Sequence, residues 1–126
     1  MKNKILLMIS DEIKYKEDIK SLVYKYNQYD IELLEHRTTN LVNATNKFID
    51  SYIKEDYIKG LIVWITGIGV TNLLNKKMQN KNSFTTVSEF YLNEIKKDYN
   101  IDILVIGEMV TGYKNLTYII DEYLKE

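Results

Sequence analysis

The chain has 126 residues, of which 45% are hydrophobic and 28% are charged, and 17 Lys and Arg against 18 Asp and Glu give a formal charge of -1. This size and composition predict one globular domain over residues 1–126 and exclude a disordered chain and a membrane-spanning protein. The balanced charge argues against nucleic acid or a membrane as partner. With no Cys and one His, we expect neither a metal site nor a cofactor, and the lack of a signal-peptide pattern predicts a cytoplasmic protein.

Short apolar runs alternate with longer segments whose apolar residues recur at helical spacing. The predicted strands are Lys4–Ile9, Asp30–Glu35, Gly60–Ile65, Ser83–Val87 and Asp102–Ile106. The first is nearly all apolar, which indicates a strand covered on both faces. The second alternates and runs into a polar loop over residues 36–40, as an edge strand does, and the third is the most apolar and should be central.

The predicted helices are about Glu12–Gln28, Leu41–Glu55, a helix from near Val70, a fourth helix through about Lys97, and Gly112–Lys125. Asp11 is placed to cap the first, and Ile53 should be buried in the second. Thr86 and Glu89 match a capping box for the fourth, with Phe90 and Tyr91 facing inward. Since helices joining parallel strands cross over right-handedly, we predict an α/β fold, a Rossmann-like three-layer αβα sandwich around a five-stranded parallel sheet.

Ligands of such sheets bind beyond the carboxyl ends of the strands. The glycine turn Thr66, Gly67, Ile68, Gly69 follows the third strand, and its N–H groups could hold a phosphate or an oxyanion. Equally, the glycines could only allow tight packing of the next helix. A third glycine and a Gly-Lys-Ser/Thr sequence are missing, which disfavours sites for NAD and ATP.

Other strand ends carry polar residues with two interpretations each. Asp11 and Glu12 could act as a base or touch a ligand, or simply cap and complement a helix. His36 and Arg37 could meet a phosphate, although solvated positions on an exposed loop are more common for such a pair. Trp64 could fill a pocket, the core or a subunit contact, and the core or contact is favoured.

Two motifs resemble one family. Gly60–Lys76 (GLIVWITGIGVTNLLNK) is similar to the third strand, turn and helix of the type B ribose-5-phosphate isomerases and galactose-6-phosphate isomerase subunits, usually G-I-L-I-C-G-T-G-I-G. Ile103–Gly112 is similar to a second motif of that family, and Ser10-Asp11 to its opening S-D. The resemblance implies isomerisation of an aldose or ketose phosphate, without a cofactor, by a dimer or larger assembly whose sites are shared between subunits.

The resemblance also implies roles for residues. Thr66 and the turn residues Gly67, Ile68 and Gly69 would hold the enediolate, Asp11 would contact the sugar ring, and Asn100 lies in the region that supplies a substrate-contacting amide. Trp64 stands where the family has its Cys base, and Glu12 stands where it has His. Two hypotheses follow: an isomerase of a pentose or hexose phosphate with Glu12 or Glu108 as relocated base, or an inert partner subunit or phosphosugar-binding module. The predicted partner chain is a second copy or a paralogous subunit.

Overall fold

The computed structural model describes residues 2–37 and 40–125. Its strands are β1 (Asn3–Ile9), β2 (Tyr29–Leu33), β3 (Tyr57–Trp64), β4 (Ser83–Thr85) and β5 (Ile103–Gly107). Its helices are α1 (Lys16–Tyr24), α2 (Leu41–Lys54), α3 (Ile68–Lys77), α4 (Glu89–Asp98), α5 (Glu108–Thr111) and α6 (Tyr113–Leu124). Positions 38 and 39 of the predicted polar loop lie outside the described residues.

The strands form one sheet in the order β2-β1-β3-β5-β4, and every neighbouring pair is parallel. The predicted five-stranded parallel sheet is therefore confirmed, with β2 at an edge and β3 in the middle. The residues of β1 from Ile5 to Ile9 are all buried, as a strand covered on both faces requires.

Alternate side chains of each strand pack into two hydrophobic clusters, one on each face of the sheet. One cluster joins Met8, Ile62 and Val105 to α2 and α3, and the other joins Leu7, Val63 and Ile106 to α1, α4 and α6. Helix α2 joins β2 to β3 and α3 joins β3 to β4, so both connections run along the sheet towards β4. Helix α1 joins β1 to β2 and α4 joins β4 to β5, so these two run towards β2. This split is what a constant crossover hand produces, and it confirms the αβα sandwich.

The first helix is shorter than predicted, because it starts at Lys16 and ends at Tyr24. The Ser10 carbonyl accepts a hydrogen bond from the Ile13 amide, and the Ile13 carbonyl accepts one from the Lys16 amide, so the chain makes two turns before the helix. Asp11 consequently caps no helix and forms an ion pair with Lys16 instead. The capping interpretation of Asp11 was wrong.

The fourth helix is capped by Ser88, whose hydroxyl accepts a hydrogen bond from the Tyr91 amide. The capping box from Thr86 was thus two residues too early, and the buried face of the helix carries Leu92. Phe90 and Tyr91, predicted to face inward, are 64% and 57% exposed.

Three further details differ from the predictions. Ile53 is exposed near the end of α2, which places it outside the buried stripe of that helix. The third helix begins at Ile68, so Ile68 and Gly69 belong to its first turn. The short helix α5 was not predicted. It ends before Gly112, where a backbone φ of 78° interrupts the helical conformation between α5 and α6. None of the described helices is long and apolar enough to cross a membrane.

Candidate functional site

The carboxyl ends of β1, β3, β4 and β5 meet at one edge of the sheet, and a polar or glycine residue lies within two positions of each end. Connections from β1 and β3 leave in opposite directions across the sheet, so the gap between their ends is the switch point at which ligands of such folds bind. Ser10 still donates its amide to the Val63 carbonyl at 2.9 Å, and this bond ties the two strand ends together.

The turn after β3 leaves backbone N–H groups without helical partners. Gly67 is the N-cap of α3 and supplies no side-chain cap, so the first amides of the helix, at Ile68, Gly69 and Val70, are not bonded within it. The first turn holds no acidic residue, and Lys76 and Lys77 lie in the last turn. The electrostatics of α3 therefore favour a negative group beside Gly67.

The same glycines are required by close packing. A Cβ on Gly67 would lie 2.3 Å from Thr85 Oγ1, and one on Gly69 would lie 3.0 Å from Leu41 Cδ1. Gly107, at the end of β5, has the same constraint, because its Cβ would lie 2.7 Å from the Gly67 amide nitrogen. The packing interpretation of the turn is supported, and it leaves the α3 amides available. The sequence placed Gly107 at a strand end but did not predict this close packing, although a glycine closing an apolar strand signals a close backbone approach.

A cavity of about 440 Å³ lies beside this turn, and we call it the edge cavity. It is bounded by the turn, the end of β4, one side of α4 and α5. Its walls are Thr66, Gly67, Ile68, Thr85, Thr86, Val87, Tyr91, Ile95 and Val110. None of these residues carries a charge, so the described part of the cavity wall provides neither a base nor a cation.

Trp64 occupies the core on the opposite face of the sheet. Only 4% of it is exposed, and it packs with residues of α2 and α3. Its ring lies 5.3 Å from that of His36, which is itself 3% exposed and has Nε2 3.0 Å from the Ile9 carbonyl oxygen. The core interpretation of Trp64 is confirmed. The interpretation of His36 as a solvated loop residue was wrong, since His36 folds over the end of β1, while Arg37 is exposed.

The predicted carboxylates lie apart from the edge cavity. Asp11 is exposed, and its pKa is lowered chiefly by the hydrogen bond from Lys16. Glu12 is also exposed, and its backbone amide donates to Ser10 Oγ at 3.3 Å.

Glu108 opens α5 beside the turn, since the next amide, that of Met109, donates to the Ile65 carbonyl at 3.0 Å. Glu108 Oε1 accepts a hydrogen bond of 2.5 Å from the Tyr15 hydroxyl. Burial, and then this hydrogen bond, raise the pKa of Tyr15, which therefore keeps its proton and remains a donor. Val110, two residues further along the same helix, faces the cavity instead.

Asn100 lies at the amino ends of the strands, just before β5 begins, whereas the glycine turn lies at their carboxyl ends. Its side chain donates to Asp102 Oδ1 at 3.1 Å, and its carbonyl accepts from the Asn82 side chain at 3.0 Å. Within one chain, Asn100 is thus separated from the turn by the length of a strand. Among the described residues no three His, Asp or Glu side chains are grouped so as to hold a metal ion.

Solved structures of type B ribose-5-phosphate isomerases have the same fold as this chain. A mutant of the enzyme from Trypanosoma cruzi matches with a TM-score of 0.84 and 14% identity, over 99% of this chain and 84% of that one. The enzyme from Clostridium thermocellum matches with a TM-score of 0.81 and 18% identity, over 97% and 84%. The enzyme from Leishmania infantum gives 0.82 and 17%, over 98% and 84%.

No protein-family model matches the chain, and no curated protein matches it. At identities this low, the structural likeness shows the fold, and activity has to be argued from the site.

Proposed function

We propose that the chain is a divergent member of the sugar-phosphate isomerase family of type B ribose-5-phosphate isomerases and galactose-6-phosphate isomerase subunits. The proposal rests on one combined observation. The turn resembling that family's turn, Thr66–Gly69, follows the middle strand of a sheet with the isomerase fold and presents the α3 amides at its carboxyl edge. A pentose or hexose phosphate would place an anionic oxygen against these amides.

Aldose-ketose isomerisation needs a base that removes the C2 proton, a set of donors that stabilises the enediolate, and return of the proton to C1. The turn supplies donors. An indole has no basic lone pair, so Trp64 cannot act as the base, and its burial leaves no opening at that position. We therefore propose that the chain by itself is an inert partner subunit or phosphosugar-binding module.

A second candidate, an active isomerase, is favoured by the placement of Glu108. This residue follows Gly107, which abuts the turn, and the Tyr15 hydroxyl binds Oε1 while leaving Oε2 to accept a proton. Glu12, the other candidate base, is exposed, and the contact that the structure describes for it is the hydrogen bond from its backbone amide. The active candidate thus depends on Glu108 more than on Glu12.

Deuterium exchange separates the two candidates. Ribose 5-phosphate and galactose 6-phosphate are incubated with the protein in D₂O, and loss of the C2 proton signal is followed by NMR. The inert candidate predicts no loss above the buffer rate. Exchange that Glu108→Gln abolishes, and that the matched surface variant Glu94→Gln retains, would establish the active candidate instead.

Binding is tested separately through the amide signals of Ile68, Gly69 and Val70. Ribose 5-phosphate should shift these signals saturably, because its phosphate meets the amides, whereas unphosphorylated ribose at the same concentration should not. Equal shifts with both sugars, or none with either, would contradict a phosphosugar ligand.

The assembly and its location complete the proposal. We propose a cytoplasmic dimer or larger assembly, with a second copy or a paralogous subunit as the partner. Asn100 lies at the amino ends of the strands and the turn lies at their carboxyl ends. Asn100 can therefore contact a ligand at such a turn only if that turn belongs to a partner chain. Sedimentation equilibrium is expected to give at least twice the chain mass, and a monomer would contradict this part.

A further inference from the structure

The edge cavity differs from three cavities elsewhere on the molecule in the chemistry of its walls. Charged side chains line three other cavities: Lys4, Asp30, Glu55 and Asp56 in one, Lys59 and Lys96 in another, and Glu55, Asp56 and Lys81 in a third. The nine residues around the edge cavity include no Lys, Arg, Asp or Glu. A ligand of this cavity therefore gains no ion pair from the wall.

The apolar side chains of the wall are unusually open to water. Ile68 is 69% exposed, Val110 is 65% exposed and Tyr91 is 57% exposed. These side chains come from α3, α5 and α4, so the fold brings them together from separate parts of the sequence. Grouped exposure of this kind around a concave site is typical of surface that a ligand covers.

Two of the four hydroxyl groups of the wall, those of Thr85 and Thr86, face partners within the protein. Thr86 Oγ1 donates to the Ser88 carbonyl at 3.1 Å and also accepts from the Ser88 amide. Thr85 Oγ1 packs against Gly67. A polyol packed against Ile68, Ile95 and Val110 would exchange its hydrogen bonds to water for apolar contacts, which is unfavourable, whereas an apolar group there loses none.

We propose that the edge cavity binds an aromatic or branched aliphatic group of a small-molecule ligand. Its volume of about 440 Å³ lies within the range of small-molecule sites. This inference goes beyond the proposed function, because it concerns the cavity wall and does not require a phosphate at the α3 amides. The ligand needs no charge for this contact, and its apolar group contacts Ile68, Ile95 and Val110.

Indole is a suitable probe, since it is a small aromatic molecule without charge. In an NMR titration of the full chain, indole should shift the methyl signals of Val87, Ile95 and Val110 saturably. The variant Val110→Arg places a charge in the wall and should weaken indole binding at least tenfold. The control Ile53→Arg adds the same charge outside the cavity, at a residue that is 67% exposed where Val110 is 65% exposed, and should leave the affinity unchanged.

Circular dichroism spectra establish that both variants are folded, and Val110→Ala provides a milder variant, expected to weaken binding severalfold. The proposal is overturned if indole shifts Ile53, Ile58 and Val42 as strongly as the cavity methyls, or if Val110→Arg binds indole like the parent. It is also overturned if diluting the protein shifts the cavity methyls while indole does not, since a second copy then covers the cavity.

Ribose 5-phosphate is titrated in parallel and reports on the proposed function alone. If the sugar phosphate fails to shift the amides of Ile68–Val70 while indole binds in the cavity, the proposed function fails and the cavity inference stands. If only the sugar phosphate binds, at the amides, the reverse holds.

Discussion

Single residues at the strand ends decide what chemistry the scaffold can perform. Trp64 is the clearest case, because alternation along β3 directs its side chain into the core formed with α2 and α3. A residue of this size at the end of a central strand excludes water and substrate from that position. The inert character that we propose therefore follows from a side chain that also contributes to stability.

Gly67 illustrates a second residue-scale constraint. Its φ of -96° is available to any residue, so the requirement for glycine comes from space and not from backbone conformation. Neither the Gly-x-Gly pattern nor its spacing could reveal this requirement, because it depends on Thr85 in a separate strand. For the same reason, the burial of His36 depends on the Ile9 carbonyl and the Trp64 ring, which the polar sequence around His36 does not indicate.

Gly67→Ala is expected to lower the free energy of unfolding by about 1–3 kcal/mol, the usual range for overpacking, because the new methyl group collides with Thr85 Oγ1. Urea unfolding followed by circular dichroism measures the change. Adding Thr85→Ala should recover part of the loss, since it removes the oxygen in the way. A Gly67→Ala protein as stable as the parent, or a double variant in which the two losses simply add, would contradict the packing argument.

At the scale of elements, periodicity predicted the strands and their central or edge positions, because burial on one or both faces leaves a direct pattern in the sequence. Helix starts were predicted less well. Capping depends on which of several nearby polar side chains reaches an amide, and Asp11, Thr86 and Ser88 all have suitable chemistry. Asp11 forms an ion pair with Lys16 instead of a cap. The Thr86 hydroxyl bonds to the Ser88 backbone in a turn, and α4 begins after Ser88.

The cap of α4 can be tested at this scale. Ser88→Ala removes the acceptor of the Tyr91 amide and should lower the free energy of unfolding by about 1 kcal/mol. Ser88→Thr keeps a hydroxyl and should retain most of the stability. The measurement is again urea unfolding at neutral pH, and equal losses in the two variants would show that the hydroxyl of Ser88 does not act as the cap.

At the scale of the whole molecule, the two edges of the sheet have different characters. The carboxyl edge carries the glycine turn and an uncharged cavity, whereas the amino ends of β1 and β3 carry linked charges. Lys4 binds Glu55 at 2.7 Å and Glu32 at 3.2 Å, and the Tyr57 hydroxyl donates to Glu32. The residue types predicted that a site would lie at the carboxyl ends of the strands. They did not predict the apolar wall of the edge cavity, because that wall depends on how α4 and α5 are placed in the fold.

The linked charges give the stability of the whole chain a defined dependence on pH. The Tyr57 hydrogen bond, and then Lys4, lower the pKa of Glu32. A carboxyl group whose pKa is lower in the folded than in the unfolded chain stabilises the fold above its unfolded pKa, and this contribution is lost as the pH falls through the folded value. Glu32 is 38% exposed, so solvent screening limits its contribution to under about 1 kcal/mol.

Tyr57→Phe removes the largest cause of the lowered pKa and should therefore reduce the loss of stability between about pH 5 and pH 3, where carboxyl groups titrate. Urea unfolding at pH 7, 5 and 3 measures this loss in the parent, in Tyr57→Phe and in the control Tyr118→Phe, which changes an exposed tyrosine of α6. Tyr118→Phe should follow the parent at every pH. If Tyr57→Phe also loses as much stability on acidification as the parent does, the hydroxyl does not stabilise the Glu32 carboxylate, and the acid sensitivity has to arise from other groups.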